Sequence, residues 1–277
     1  MNASIRDLSN HFQISAVGRP SSGEDPMFRS EKFYTSYGVD HLVPSCEILL
    51  NRSDCEDFFQ GVRHRRESLH TDLFLFGKAL DYANAQDKSI GSFSFNIDLS
   101  SALEPSFAAR ASLICSEKGF FDRSKIYFEI TEHAEIPEGA RVEVLQNFKA
   151  HGFRLAIDDF NPYIPEQVER LEKLAPYAEI IKFDHAMIEK CVAGHAEDVY
   201  GQIAQYRTLY PDQVFVQEGL TSEMLYLRPA YLKDLAKSGI ELFQHYVPQQ
   251  ERRAPASEHE ESRDSNLKLV SRELACV

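Results

Sequence analysis

The stretch Phe-Arg-Leu-Ala-Ile-Asp-Asp-Phe, residues 153–160, joins an apolar run to two adjacent carboxylates. A short apolar run of this kind is typical of a buried strand. Neighbouring residues of a strand point to opposite faces, so Asp158 and Asp159 can share one site only where the strand ends and its geometry relaxes. An ordinary turn after a strand explains the pair equally well. What the pair does therefore depends on which residues the other strands bring to the same place.

Short β-type runs recur along the chain, and longer amphipathic segments separate most of them. The first two runs are close together and predict an antiparallel hairpin, whereas the later ones lie ~20–45 residues apart, enough for a crossover helix. The predicted strands are 33–39, 46–50, 92–99, 125–131, 153–160, 179–184, 213–219 and 242–247. The predicted helices are 53–85, 105–117, 140–151, 165–174, 185–210 and 224–238. This α/β alternation favours a (β/α)8 barrel, with a doubly wound open sheet as the alternative.

Composition divides the chain into three parts. Residues 1–30 are polar and turn-rich and predict an N-terminal arm, and residues 31–250 carry the predicted barrel. Residues 251–277 are poor in apolar side chains, which predicts a polar, disordered C-terminal tail.

Charge and cysteine content exclude several classes of protein. The net charge is −13, which argues against binding to a nucleic-acid polymer. No stretch is apolar enough for a transmembrane helix, and the N-terminus lacks the pattern of a secretory signal, so no membrane association is expected. The five cysteines have irregular spacings and no CxxC pair. A reducing, cytoplasmic location fits these features best.

Polar side chains lie within or at the ends of seven of the eight predicted strands. They are Glu47, Asn96, Glu129, Glu132, Asp158, Asp159, Lys182, Asp184, Glu218 and Gln244. Each has an ordinary explanation alone: Asn96 as a turn former, or Lys182 as a surface lysine with a buried stem. For the whole set these ordinary explanations are less convincing, because burying this many charges without partners is costly. A barrel that brings them together requires cations.

The donor atoms narrow the choice of metal. Carboxylate and amide oxygens, without a convergent histidine or cysteine, suit Mg²⁺, Mn²⁺ or Ca²⁺ rather than zinc. Adjacent Asp158 and Asp159 can serve two ions, an arrangement typical of phosphodiester hydrolysis. Lys182 would then hold the attacking water or neutralise phosphate charge, and Glu218 could act as a general base.

Seven short motifs, in order over roughly residues 31–250, resemble those of the EAL domain family. They are Glu-Ile-Leu-Leu at 47–50, Asn-Ile-Asp-Leu-Ser at 96–100, Glu-Ile-Thr-Glu at 129–132, Ala-Ile-Asp-Asp-Phe at 156–160, Ile-Lys-Phe-Asp at 181–184, Gln-Glu-Gly-Leu at 217–220 and Gln-His-Tyr-Val-Pro at 244–248. The resemblance implies a TIM-type barrel with an antiparallel first strand, in agreement with the predicted hairpin.

The resemblance also implies an activity, the hydrolysis of cyclic di-GMP to linear pGpG with two Mg²⁺ or Mn²⁺ ions. By motif match, Glu47, Asn96, Glu129 and Asp158 would bind one ion, with Asp158 shared and Asp159 binding the second. Glu218 would be the general base, with Lys182 beside the water. The residues expected to bind substrate or support the site are Gln244, Asp184, Glu132, Leu49 and Asn51.

The chain departs from the family pattern at four places, one of which is Thr35-Ser36, where a Gln-Pro pair is expected in the first strand. Asn51 stands where the family usually has an arginine that contacts substrate phosphate, and 161–165 reads Asn-Pro-Tyr-Ile-Pro in place of a glycine-rich loop. Thr221 stands where the family's Glu-Gly-Val-Glu motif has its second acidic residue. These differences leave a second hypothesis open: a catalytically weak or inactive member that acts as a cyclic di-GMP receptor or binds a regulatory protein partner. A homodimer through the barrel is a further expectation from the family.

Overall fold

The chain forms a closed eight-stranded barrel with helices outside it. The computed structural model describes residues 27–35, 46–51, 55–85, 92–120, 122–132, 135–220 and 229–245. The strands are β1 Phe28–Thr35, β2 Cys46–Leu50, β3 Phe93–Ile97, β4 Ile126–Ile130, β5 Arg154–Phe160, β6 Ile180–Phe183, β7 Val214–Leu220 and β8 Leu242–His245. β1 begins inside the segment predicted as an arm. Residues 1–26 of that arm, and the predicted tail, lie outside the described residues.

The pairing of β1 confirms the antiparallel first strand. β1 is antiparallel to both β2 and β8, whereas the pairs from β2 through β8 are parallel. Contact of β1 with β8 closes the sheet, so the open doubly wound alternative is wrong.

The helices are α1 Cys55–His64, α2 Ser68–Ala85, α3 Leu99–Ala102, α4 Phe107–Glu117, α5 Gln146–Ala150, α6 Pro165–Leu174, α7 Ala186–Lys190, α8 Ala196–Leu209 and α9 Pro229–Ser238. The helix predicted over 53–85 is divided into α1 and α2, because Arg66 between them is in the left-handed region with φ 59°. The helix predicted over 185–210 contains a π-helical turn at Cys191–His195, which separates α7 from α8. No helix in the described ranges has both the length and the apolar character needed to cross a membrane.

Aromatic rings fill the space between the barrel and the helices on one side. Phe128 of β4 lies at the centre of this group, with ring centroids 4.9 Å from Phe76, 5.3 Å from Phe107, 5.5 Å from Phe148 and 5.2 Å from Phe153. All five side chains are buried. Each contributes roughly 1.5–3 kcal/mol through removal of apolar surface from water.

A smaller apolar cluster lies on the opposite face of the strands. Its buried members are Tyr127, Ala156, Ile180, Val216 and Leu242, one from each strand between β4 and β8. Side chains two residues apart in a strand share a face, so the next layer toward the C-terminal ends contains Glu129, Asp158, Lys182, Glu218 and Gln244. The barrel interior therefore has an apolar floor beneath a polar layer.

A buried carboxyl on α2 makes the stability of the fold depend on pH. Asp72 is 3% exposed and accepts a hydrogen bond from the Asp98 backbone N–H at 3.0 Å. Burial raises the pKa of Asp72 from 3.8 to about 7. The folded chain thus holds this proton more tightly than the unfolded chain, and stability falls as the pH rises from about 4 to about 7.

Replacement Asp72→Asn keeps an acceptor oxygen and removes the buried charge. We expect it to raise the free energy of unfolding by about 2–4 kcal/mol at pH 8 and to change it little at pH 4. Urea unfolding of both proteins at the two pH values checks this. An equal effect at both pH values would contradict the assignment of the buried charge to Asp72.

Candidate functional site

A bulge at the end of β5 brings the two adjacent aspartates into one site. The pairs Ile157–Ile181 and Phe160–Phe183 enclose two residues of β5 but one of β6. Asp159 lies in the left-handed region with φ 49°. A bulge changes the direction in which a side chain points, which a regular strand could not do for neighbouring residues. The geometry that the sequence required for a shared site is therefore present.

A second bulge lies at the end of β7, next to Glu218. The pairs Gln217–Phe243 and Leu220–His245 again enclose one extra residue. Gly219 has φ 76°, and a Cβ there would collide with His185. Glycine is therefore required at this position, and Glu218 depends on it for its placement.

Lys182 of β6 lies at the centre of the polar layer and is 1% exposed. Its Nζ is 2.6 Å from Glu129 Oε2, 2.7 Å from Asp158 Oδ1, 2.5 Å from Glu218 Oε1 and 3.3 Å from Glu47 Oε2. One ammonium thus faces four carboxylates. The sequence predicts that Lys182 contacts water or phosphate, but it does not indicate that four carboxylates surround its ammonium group.

Amide side chains from the neighbouring strands hold Glu47. Asn96 Nδ2 donates to Glu47 Oε1 at 2.7 Å, and Gln244 Nε2 donates to Glu47 Oε2 at 2.6 Å. Glu47 and Gln244 are buried, at 3% and 5% exposed. β2, β3 and β8 therefore contribute to the same site as β4, β5, β6 and β7.

Burial and mutual repulsion disfavour the ionised form of these carboxyls. Burial, followed by the charge of Glu47, raises the pKa of Glu129 to about 7. Burial also raises the pKa values of Asp158 and Glu218 well above their usual range, and that of Asp159 to a smaller extent. Burial alone would lower the pKa of Lys182, but the surrounding carboxylates raise it well above its usual value. The site therefore has more negative charge than one lysine neutralises.

Two groups of carboxylates are arranged closely enough to hold metal ions. One oxygen each from Glu47, Glu129 and Asp158 lies within 4.8 Å of the others, and the same holds for Glu132, Asp158 and Asp159. Asp158 belongs to both groups, as a residue shared between two ions would. We call the first set the inner carboxylate group and the second set the outer carboxylate group.

The donor atoms fit hard divalent cations. Among the described residues, Glu129 Oε1, Asn96 Oδ1 and Gln244 Oε1 are buried oxygens without a hydrogen-bond donor. Unpaired buried oxygens are costly, and a cation would satisfy them. Oxygen-only ligation is the preference of Mg²⁺, Mn²⁺ and Ca²⁺.

The remaining predicted residues lie at or just beyond the C-terminal ends of their strands. Leu49 is half-buried on β2, and Asn51 is exposed just beyond it, with its N–H donating to Met27 O at 2.8 Å. Asp184 follows β6 and accepts from Ala186 N–H at 3.1 Å and from Asn161 Nδ2 at 3.4 Å. Thr221, which replaces the second acid of the family motif, lies outside the described residues.

The altered loop after β5 is held by its own contacts. Asn161 N–H donates to Gln167 Oε1 at 2.6 Å, and Tyr163 N–H donates to Asn161 Oδ1 at 3.0 Å. Tyr163 O–H donates to Asp198 Oδ2 at 2.6 Å, and Lys190 Nζ lies 3.9 Å from the Tyr163 ring centroid. The loop therefore packs against α6 and α8 without the glycines of the family pattern.

Two buried side chains that sequence reasoning missed support the site. Arg170 of α6 is 7% exposed and donates to Ile130 O at 3.1 Å and Thr131 O at 2.6 Å, between Glu129 and Glu132. Gln217 Nε2 donates to the backbone oxygens of Phe183, Asp184 and Glu218 at 3.1–3.2 Å. The only signal in the sequence was a polar residue placed among the apolar positions of a helix or a strand.

Comparison with known proteins gives a family and a fold. The model of the EAL domain matches residues 54–206, more than half of the chain. A search of curated proteins found no match. The FimX EAL domain from Pseudomonas aeruginosa, solved bound to c-di-GMP, is 14% identical with a TM-score of 0.61, covering 80% of this chain and 90% of that one.

Two further solved structures have the same fold. The EAL enzyme Bd1971, solved with cAMP and cyclic di-GMP, is 14% identical with a TM-score of 0.61, covering 96% of this chain and 67% of that one. The PaMucR phosphodiesterase, a c-di-GMP complex, is 16% identical with a TM-score of 0.59, covering 84% of this chain and 92% of that one. At these identities the likeness is one of fold.

Proposed function

Because the chain belongs to the EAL domain family, we propose that it is a metal-dependent phosphodiesterase that hydrolyses cyclic di-GMP to linear pGpG. The observation that carries this proposal is the pair of carboxylate groups sharing Asp158 at the C-terminal end of the barrel. In TIM barrels this is the end at which catalytic residues are found.

In the proposed mechanism, one set of residues would bind the metal ions and another would accept the proton of the attacking water. Glu47, Asn96, Glu129 and Asp158 would hold one Mg²⁺ or Mn²⁺ ion, and Asp158 with Asp159 the second, with Glu132 beside them. When bound, two such ions supply an activated water and stabilise the leaving oxygen. Leu49, Asn51 and Asp184 lie at or just after the C-terminal ends of β2 and β6 and would contact or support the substrate.

Glu218 is suited to accept the proton of the attacking water. Its Oε1 lies 2.5 Å from Lys182 Nζ, and burial raises its pKa well above the usual range. A carboxylate with a raised pKa is a stronger base near neutral pH. Lys182 would orient the water and stabilise the negative charge that develops on the phosphate.

A second function has one specific observation in its favour. Asn51 is exposed at the end of β2, in the position of the family's phosphate-contacting arginine. Without that contact the phosphate would be less well positioned for hydrolysis, which favours a cyclic di-GMP receptor or a protein that binds a regulatory partner. A homodimer through the barrel and a cytoplasmic location are further predictions from the family.

Incubation of the purified protein with cyclic di-GMP and Mn²⁺ tests the first function. We expect pGpG as the product, and no pGpG from a Glu218→Gln variant, because its side chain cannot accept the proton. A known phosphodiesterase assayed in parallel is the control. Tight cyclic di-GMP binding without turnover would instead support the receptor.

A further inference from the structure

Arg170 of α6 is a buried arginine beside the outer carboxylate group. It is 7% exposed, and its Nη2 donates to Ile130 O at 3.1 Å and to Thr131 O at 2.6 Å. In the chain, Glu129 directly precedes these two residues and Glu132 directly follows them. The guanidinium therefore lies against the short segment that joins a member of the inner group to a member of the outer group.

No direct ion pair neutralises the charge of Arg170 in the described part of the chain, and its Nε is buried there without a hydrogen-bond acceptor. Burial lowers the pKa of the guanidinium, and the negative charges of Glu132 and Asp158 act against this change. An arginine side chain stays protonated in proteins. A fixed positive charge therefore acts through space on two of the three outer carboxylates.

Each carboxylate group thus has its own fixed cation. Lys182 Nζ contacts all three members of the inner group, and Arg170 lies beside the outer group. Carboxylates this close repel one another unless a positive charge lies near them. In the metal-free chain the two cations reduce that repulsion. When a divalent ion binds, the same charges repel the ion.

We propose that Arg170 is a positioning residue that holds the outer carboxylate group together when its metal ion is absent and that lowers the affinity of the group for that ion. The inference rests on the proposed function and deepens it, because it names a residue that controls occupancy of the second metal position. A group that stays assembled without its ion can release and rebind the ion without rearranging.

The substitution Arg170→Gln removes the charge and keeps an N–H donor for the carbonyl oxygens of Ile130 and Thr131. We expect the outer group to bind Mn²⁺ at least about 10-fold more tightly, because even at an effective dielectric constant of about 20 a unit charge about 10 Å from a divalent ion contributes more than that. A residue that only braced the segment would have the opposite effect, since its loss would displace Glu132 and weaken binding.

Titration with Mn²⁺ in the absence of nucleotide, followed by electron paramagnetic resonance, measures the two binding steps. The variant Asp159→Asn removes a ligand of the outer group alone, so it identifies the step that belongs to that group. Arg170→Lys keeps the charge. Its outer affinity should therefore stay within about 3-fold of the parent, well below that of Arg170→Gln.

The matched control is Arg207→Gln. Arg207 also donates to two backbone oxygens, those of Gln213 and Gly239, both at 2.6 Å. These residues precede β7 and β8, at the opposite end of the barrel. Both Mn²⁺ affinities of this variant should stay within about 2-fold of the parent, because solvent and salt screen a charge at that distance.

The stability of the variants gives a second readout. Without metal, Arg170→Gln and Arg207→Gln should both lower the urea midpoint, because each leaves buried backbone oxygens with fewer donors. Mn²⁺ should raise the midpoint of Arg170→Gln more than that of Arg207→Gln, because an ion that binds the folded chain more tightly stabilises it more. Failure of Arg170→Gln to fold even in saturating Mn²⁺ would overturn the inference, since the ion should replace the lost charge.

The outcomes separate this inference from the function on which it rests. Unchanged or weaker outer binding in Arg170→Gln, or an equal effect in Arg170→Lys, would overturn the role of the charge, whereas hydrolysis of cyclic di-GMP by the parent would still support the phosphodiesterase. A parent chain that binds two Mn²⁺ ions without turnover would overturn the function, and the titrations would still decide the role of Arg170. A parent chain that binds no Mn²⁺ would overturn both.

Discussion

Replacing Lys182 by methionine is expected to lower the free energy of unfolding of the metal-free protein by about 3–5 kcal/mol at pH 7.5, the cost of removing one partner from a buried ion network. Lys182 Nζ contacts four carboxylates, three of them at 2.5–2.7 Å. Methionine has a similar length and no charge, so the acids would have to take up protons or repel one another. Urea unfolding in the presence of a chelator measures the loss.

The matched control is Lys118→Met. Lys118 pairs with Asp81 at 2.7 Å, but both side chains are more than one-third exposed. Exposed pairs contribute little, so its replacement should cost less than about 1 kcal/mol. Adding Mn²⁺ should restore part of the stability of Lys182→Met, because divalent ions would neutralise the same carboxylates. Equal losses in the two variants would refute the central role given to Lys182.

Asp158→Asn should lower the turnover of cyclic di-GMP by about 1,000-fold or more, since a loss of about 4 kcal/mol in transition-state stabilisation has that effect. Asp158 is the residue common to the inner and the outer carboxylate group, so one substitution weakens both. The number of Mn²⁺ ions bound per chain, measured by equilibrium dialysis, should fall in parallel. Mutation of Asp159 alone should leave the inner group able to bind one ion.

The comparison for Asp158 is Glu179→Gln. Glu179 is also a partly buried carboxyl, but it precedes β6 and accepts from Leu155 N–H at 2.9 Å, at the opposite end of the barrel. Glutamine retains the acceptor, so turnover should remain within about 2-fold of the parent. If Asp158→Asn behaves like Glu179→Gln, neither carboxylate group is the catalytic centre.

Much of the fold follows from local features of the chain. α6 has the bounds predicted for it, Pro165–Leu174, because proline at the first helical position fixes the start and the apolar positions follow helical spacing. β2 likewise has its predicted bounds, Cys46–Leu50. The division of 53–85 was not predictable, because no glycine or proline marks the left-handed Arg66. Tertiary packing decides that turn.

The candidate site was predictable in its members and less so in its contacts. Strand ends of a barrel converge, so polar residues at those ends had to approach one another. The pairing of Asp158 with Lys182, or of Arg170 with the end of β4, depends on the register of strands and on the rotation of α6. These are relations between segments far apart in sequence, and residue type alone does not specify them.

The apolar floor of the barrel has a kinetic consequence. The cluster of Tyr127, Ala156, Ile180, Val216 and Leu242 seals the interior below Lys182, so the site resembles a cup with one opening. In the proposed phosphodiesterase, ions, water and nucleotide would all enter and leave through this opening. A bound nucleotide would then block the exchange of ions beneath it, so the proposed function predicts ordered loading, with ions entering before nucleotide and leaving after it.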